Sequence, residues 1–82
     1  MYIMKAKIFI TLKEGVLDPQ GKAIAQSLNN LGFIGINDVR QGRLIEIDID
    51  KKNSLSASEE LEKMCQKLLA NTVIEDYKIE IT

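Results

Sequence analysis

Hydrophobic and polar residues alternate along three stretches of the chain, and each stretch predicts a β-strand with one buried face. The stretches are Met4 to Lys13, Arg43 to Asp50 and Glu75 to Thr82. A fourth, shorter stretch from Gly35 to Gln41 carries fewer apolar residues and is predicted as a second strand in chain order. Gly42 follows it directly, so we expect a hairpin turn at Gly42 with a positive φ angle.

A helix is predicted between the first two strands. Asp18 is a good N-cap, and Pro19 suits the first helical position, where an amide is not needed. Gly32 is a natural C′ residue in the left-handed region. Gly21 in the first turn lowers helix propensity, which suggests that another part of the chain packs closely there, although the cost could simply be tolerated. The apolar residues of this helix recur on one face, at Ile24, Leu28 and Leu31.

A second helix is predicted after a polar connection from Lys51 to Leu55. The segment Ser56-Ala57-Ser58-Glu59 has the spacing of a capping box, with Ser56 as N-cap. Asn71 could end the helix in a left-handed conformation. The expected buried face is formed by Ala57, Leu61, Met64, Cys65 and Leu68.

The element order β-α-β-β-α-β favours a single α+β domain over residues 1–82. The expected fold is the ferredoxin-like sandwich, a four-stranded antiparallel sheet with both helices on one face. The open face of that sheet is mixed in charge and could face water, or meet a partner around Phe9 and Leu44. Its residues are Lys5, Lys7, Phe9, Leu44, Glu46, Asp48, Lys78 and Glu80.

Composition excludes several kinds of chemistry. The 82 residues include no histidine and one cysteine, Cys65, so histidine-based catalysis and a zinc site of Cys and His ligands are excluded. No disulfide can form within the chain, which fits a reducing cytoplasm. A net charge of −1 does not favour nucleic acid, and no apolar run is long enough for a membrane span.

The remaining reactive side chains favour structural roles. Cys65 lies on the apolar face of the second helix and is predicted to be a buried core residue. The acidic residues Glu46, Asp48 and Asp50 form one linear row, which does not provide the converging oxygens of a hard-cation site. We therefore assign no catalytic residue and no metal ligand.

Three segments together resemble the PurS family, the small subunit of phosphoribosylformylglycinamidine synthase. The first is Lys13-Glu14-Gly15-Val16-Leu17-Asp18-Pro19-Gln20-Gly21. The second is Asp38-Val39-Arg40-Gln41-Gly42-Arg43, and the third runs from Cys65 to Tyr77. The resemblance covers essentially the whole chain.

The resemblance implies a non-catalytic cytoplasmic subunit in de novo purine biosynthesis. It implies assembly with a synthetase subunit, PurL, and a glutaminase subunit, PurQ, and the bridging of the two for transfer of glutamine-derived ammonia. ATP, Mg and glutamine would be used by the complex, with no cofactor bound by this subunit. The resemblance also implies a homodimer, and pairing of dimers into a tetramer stays open.

Candidate partner contacts combine the resemblance with local features of the sequence. Arg40 beside a turn could be a solvated side chain or an interface anchor. The candidates are Asp18, Pro19, Gln20, Gly21, Arg40, Gly42, Asn71, Glu75 and Asp76.

Two other functions stay open on the residues alone. One is a stand-alone dimeric module that binds a small metabolite and regulates. The other is a small acyl-phosphate hydrolase, for which Arg40 and Arg43 are the available arginines.

Overall fold

Three strands form one antiparallel sheet, in a computed structural model that describes residues 3–50 and 54–82. The central strand is β1 (Ile3–Leu12), which pairs with β2 (Gly42–Asp50) on one side and β3 (Glu75–Ile81) on the other. Ile8 lies opposite Ile45 of β2 and opposite Ile79 of β3. The predicted alternation is confirmed, because most apolar residues of the three strands lie on one face of the sheet, with Phe9 and Leu44 on the other.

The hydrophobic core lies between that inner face and one helix, α2 (Ser54–Met64). Flanking side chains of β2 and β3 are half-buried against this core. The core residues that solvent does not reach are Ala6, Ile8 and Ile10 of β1 with Ala57, Leu61 and Cys65.

A single π-helical turn, Cys65–Leu69, continues α2. A π-turn contains about one residue more than an α-turn. Each residue after this point therefore lies on a different side of the helix from the one that a regular α-helix would give it. Leu69 is half-buried against the core, whereas Leu68 is 83% exposed. The prediction that Leu68 belongs to the buried face was wrong for this reason, while Cys65 is buried as predicted.

The ends of this helix also differ from the prediction. The helix begins at Ser54, before Ser56, so the predicted capping box lies inside it. The rest of the predicted polar connection, residues 51–53, lies outside the described residues. Asn71 does not adopt a positive φ, because Ala70 ends the π-turn in an extended conformation.

The first helix, α1 (Pro19–Asn30), is capped as predicted but does not pack on the sheet. Asp18 is its N-cap, and Gly32 follows it with a φ of 95°. The chain extends over 52 × 25 × 15 Å with a radius of gyration of 16.4 Å. A compact chain of this length has a radius of gyration of about 12 Å. The helix is therefore an arm that projects from the sheet.

The predicted fourth strand is absent from the sheet that the structure describes. Residues 35–41 form no regular secondary structure and do not pair with β1, β2 or β3. Gly42 has no positive φ and is the first residue of β2, where a side chain would overlap the carbonyl oxygen of Ile10. The α+β class and the antiparallel sheet hold, but the four-stranded sheet with both helices on one face was wrong.

We expect alanine substitutions at Leu61 and Leu68 to differ in their effect on stability, because the π-turn places these two leucines in different environments. Leu61→Ala should lower the free energy of unfolding by about 2–5 kcal/mol, because the side chain is fully buried. Leu68→Ala should change it by less than about 0.5 kcal/mol. Urea denaturation followed by circular dichroism measures both, and equal losses would contradict the helix phase described here.

Candidate partner interface at the joint between arm and sheet

Three segments meet at one end of the sheet, where β1 ends and β2 and β3 begin. We call this region the joint: residues 12–21, residues 39–43 and residues 69–76. The backbone amide of Lys13 donates to the carbonyl of Ile74, 2.8 Å away, which ties the first segment to the third. The joint brings together residues that are distant in the chain, such as Lys13 and Asp76, which lie 63 positions apart.

Asp18 holds the first two segments together. One carboxylate oxygen accepts from the amide of Gly21 at 2.9 Å, as an N-cap does, and the other accepts from the amide of Gln41 at 2.8 Å. The side chain is buried, and these two amides are the main reason that its pKa lies below the usual value. Sequence reasoning found the cap but not the bond to Gln41.

Arg40 secures the turn that leads into α1. Its guanidinium donates to the carbonyls of Val16 at 3.0 Å, Lys13 at 3.1 Å and Leu12 at 3.4 Å. Arginine suits this role because it carries several donors in a fixed planar fork. Arg40 is therefore engaged within its own chain.

The absence of a side chain at Gly21 allows α1 to approach the second segment closely. A methyl group at this position would overlap the carbonyl oxygen of Val39, so only glycine fits without a backbone shift. The close packing that the sequence suggested at Gly21 is thereby confirmed. Because the first turn of α1 rests on residues 39–41, the direction of the arm is fixed where it begins.

Arg43 and Glu75 connect the second and third segments. The guanidinium forms two bonds with the Glu75 carboxylate, at 2.8 and 3.1 Å, and a third with the carbonyl of Leu69 at 3.0 Å. Glu75 also accepts from the amide of Asn71 at 2.7 Å. Arg43 and this amide hold the pKa of Glu75 below its usual value.

The third segment is a tight turn built on Asn71. Its backbone carbonyl accepts from the amides of Ile74 and Glu75, and its side chain accepts from the amide of Val73. Asp76 then forms an ion pair of 3.0 Å with Lys13. The turn is therefore fixed both by its own backbone and by the first segment.

A concavity of about 370 Å³ opens at the joint. Its charged side chains Asp18, Arg43 and Glu75 form hydrogen bonds that join the three segments to one another. Because their hydrogen bonds are made within the chain, these three side chains offer little for recognising a small metabolite. Its lining residues are Ile10, Leu12, Asp18, Gln20, Gln41, Gly42, Arg43 and Glu75.

The structure gathers the sequence-predicted partner contacts at this joint. Pro19 and Gln20 are exposed in the first turn of α1, beside the concavity. Arg43 and Gln41 were not among the predicted contacts. Arg43 could have been recognised, because it shares the inward register of Ile45, Ile47 and Ile49 and therefore needs polar partners there.

The open face of the sheet carries the predicted residues. Phe9 and Leu44 are exposed and lie opposite each other on β1 and β2. Lys7 lies between Glu46 and Glu80, so charges of opposite sign face each other across the strands. Gly42 and Asp76 of the joint share the outward register of this face, opposite Thr11, so the face and the joint adjoin at this end of the sheet.

Two titratable groups near the core, Cys65 and Tyr77, have pKa values above their usual range. Burial and the nearby Glu62 raise the pKa of the Cys65 thiol. The Tyr77 hydroxyl donates to the Glu62 carboxylate, and this bond raises the pKa of Tyr77.

Among residues 3–50 and 54–82, no three acidic or thiol side chains converge on a point where a metal ion could bind. Neither helix of the described chain is long and apolar enough to cross a membrane.

Comparison with known proteins matches this architecture over nearly the whole chain. The family model PurS, phosphoribosylformylglycinamidine (FGAM) synthase, matches residues 5–82. The chain belongs to the PurS family. The PurS subunit of Methanocaldococcus jannaschii is 46% identical over 77 residues, which are 94% of this chain and 93% of that protein. The PurS subunit of Bacillus subtilis is 44% identical over 94% of this chain and 90% of its own length.

Solved PurS structures have the same fold. The crystal structure of M. jannaschii PurS superposes with a TM-score of 0.87 and covers 96% of this chain and 95% of that one. A chain in the structure of PurLQS from Thermotoga maritima superposes with a TM-score of 0.92 at 28% identity, over 100% of both chains. The prediction that this chain is a PurS subunit of FGAM synthase is confirmed.

We expect the joint to weaken in acid through Asp18. Its folded-state pKa is depressed, so its contribution to stability is fully present above the unfolded-state pKa of about 4 and is lost as the pH falls through the lower folded-state value. Asp18→Asn cannot accept from both amides and should be less stable than the wild type at pH 7. This difference should shrink below pH 4.

Urea denaturation at a series of pH values measures this difference. Glu14→Gln is the matched control, because it removes a charge from the exposed turn before α1. It should lower stability at pH 7 much less than Asp18→Asn does. A difference between wild type and Asp18→Asn that stays constant from pH 7 to pH 3 would contradict the role given to the carboxylate.

Proposed function

We propose that this chain is a non-catalytic bridging subunit that assembles with PurL and PurQ. The observation that carries the proposal is the superposition on the chain of T. maritima PurLQS, which leaves no part of either chain unmatched. A chain with the same elements throughout can present the same surfaces to its partners. The assembly role proposed for this chain therefore rests on the match of the whole fold and not on one motif.

In the proposed complex, the chemical steps take place on the two partner subunits. PurQ releases ammonia from glutamine, and PurL uses that ammonia in a step driven by ATP and Mg. This chain supplies no reacting group. Its contribution is to hold the two partners in register, so that ammonia passes between their sites with less loss to solvent. The cytoplasm, where purine precursors are made, is the compartment that fits this role.

Self-association is part of the proposal. The residues that directly follow the arm expose apolar side chains: Leu31 at 74%, Phe33 at 56% and Ile34 at 93%. Apolar side chains that adjoin one another in this way are typical of an interface. We infer a homodimer, which would present two copies of the joint to PurL and PurQ.

Reconstitution tests the bridging role. We expect PurL and PurQ of the same organism to form the amidine product from glutamine only when this chain is added. Ammonium-dependent turnover by PurL is the control and should not require the chain. If the chain changes neither rate and does not co-elute with either partner, the bridging proposal is wrong.

Arg40 tests whether assembly depends on the joint. Arg40→Glu removes three hydrogen bonds and places a carboxylate beside three carbonyl oxygens. We expect it to weaken binding to PurL and PurQ by about tenfold or more, which is about 1.4 kcal/mol. Lys67→Glu makes the same charge change at an exposed position outside the joint's bonds and should bind as the wild type does. Calorimetric titration measures both, and unchanged binding of Arg40→Glu would exclude Arg40 as a determinant of assembly.

A further inference from the structure

The turn that ends α2 does not follow the register that its own sequence favours. The amide of Ala70 donates to the carbonyl of Cys65 at 3.0 Å, whereas in a regular α-helix the amide of Leu69 would bind that carbonyl. The α-helical pattern of apolar residues would turn Leu68 toward the core, but the structure turns Leu69 there. A contact outside the helix therefore favours the wider turn.

Packing in the core distinguishes little between the two registers. Residues 68 and 69 are both leucine, so either one offers the same side chain to the inward position. Substitutions that conserve volume in a core cost little. In the α-helical register, the exposed turn at residues 71–74 would take up the residue that the helix releases. The choice of register is thus left to the hydrogen bonds at the end of the helix.

Arg43 and Glu75 supply these hydrogen bonds, and we call the two side chains the clamp. The Arg43 guanidinium donates to the Leu69 carbonyl at 3.0 Å, and Glu75 accepts from the Asn71 amide at 2.7 Å. The end of a helix leaves carbonyl groups without a partner inside the helix. Successive residues of an α-helix lie about 100° apart around its axis, so a change of register by one residue would carry the Leu69 carbonyl away from Arg43.

The clamp is held firmly at one side and is accessible from the other. The Glu75 side chain is 10% exposed and accepts two bonds from Arg43, at 2.8 and 3.1 Å. The Arg43 side chain is 52% exposed at the joint. A carboxylate on a partner protein can therefore reach the guanidinium and compete with the Leu69 carbonyl, because arginine binds carboxylates through paired hydrogen bonds. A protein partner, unlike a small molecule, brings the rest of its interface to this exchange.

We propose that the end of α2 is a two-register element controlled by Arg43. While Arg43 binds the Leu69 carbonyl, the helix ends in the π-turn. When a carboxylate of a partner subunit engages Arg43, the turn reverts to α-helix, which brings Leu68 inward and turns Leu69 outward. A contact at the joint is thereby transmitted to the surface of α2. Control by Arg43 concerns this chain alone, whereas its use by a partner rests on the proposed assembly with PurL and PurQ.

Scalar couplings across hydrogen bonds, measured by NMR, distinguish the two registers directly. The wild type should show a coupling from the Ala70 nitrogen to the Cys65 carbonyl carbon. Arg43→Met should show it from the Leu69 nitrogen instead. A hydrogen bond to a charged group is strong enough to change the ratio of the two registers by about tenfold or more.

Two further variants make this test specific. Lys13→Met is the matched control, because it removes the ion pair with Asp76 at the same joint and leaves the clamp intact. It should keep the wild-type coupling. Glu75→Gln keeps an acceptor for the Asn71 amide but removes the charge that holds Arg43, so it should shift the register in the same direction even if Arg43→Met does not fold.

Two results would overturn control by Arg43. The first is a coupling from Ala70 that persists in Glu75→Gln and in folded Arg43→Met. The second is the loss of both couplings in these variants, which would show that the clamp holds the end of the helix without selecting its register.

Methyl NMR spectra of the assembled complex test the partner's part in the switch. When PurL and PurQ are added to deuterated chains with labelled leucine methyl groups, the Leu69 signals should move toward their positions in Arg43→Met. Leu69 signals that stay in place, or move elsewhere, in a complex that does form would overturn the transmission and leave the bridging role standing. Failure of the complex to form would contradict the proposed function instead, while the variants alone decide the control by Arg43.

Discussion

The carboxylate of Asp18 is the interaction on which the architecture depends. It satisfies an amide at the start of α1 and, 23 residues further along the chain, an amide at the entry to β2. Both amides would otherwise need other partners in a buried place, because peptide groups are costly to leave unpaired. One side chain thus fixes where the helix starts and where the strand starts, and their relative orientation follows.

The orientation set at the joint explains why this chain departs from the two-helix sandwich that its element order favours. In that sandwich, the apolar sides of both helices cover one sheet. Here the first helix begins against residues 39–41, and Gly21 allows a contact too close for any side chain. Polar bonds at the joint therefore override the tendency of α1 to cover the nearest apolar strand, and the apolar residues Ile24 and Leu31 stay exposed in the protomer.

Sequence reasoning recovered the elements that depend on local pattern. The three alternating strands, the Asp18 cap with Pro19 and the left-handed Gly32 follow from residues adjacent in the chain. The missing fourth strand and the position of α1 depend on contacts between distant segments, which periodicity does not encode. The Asp18–Gln41 bond is such a contact. The residues predicted as partner contacts lie together at the joint, but Arg43 was missed. Its inward register indicates that it needs polar partners, whereas the identity of those partners depends on distant segments.

The π-turn after α2 has a consequence for the length of the chain. It accommodates one residue more than a regular helix while keeping Leu69 against the core and leaving the Leu69 carbonyl free to accept from Arg43. A chain shortened by one residue at Gln66 could form a continuous α-helix in which the present Leu69 takes the inward position that the sequence pattern assigned to Leu68. The wide turn thus makes this corner tolerant of a deletion. The loss of one residue changes the winding of the helix and leaves the core side chains in place.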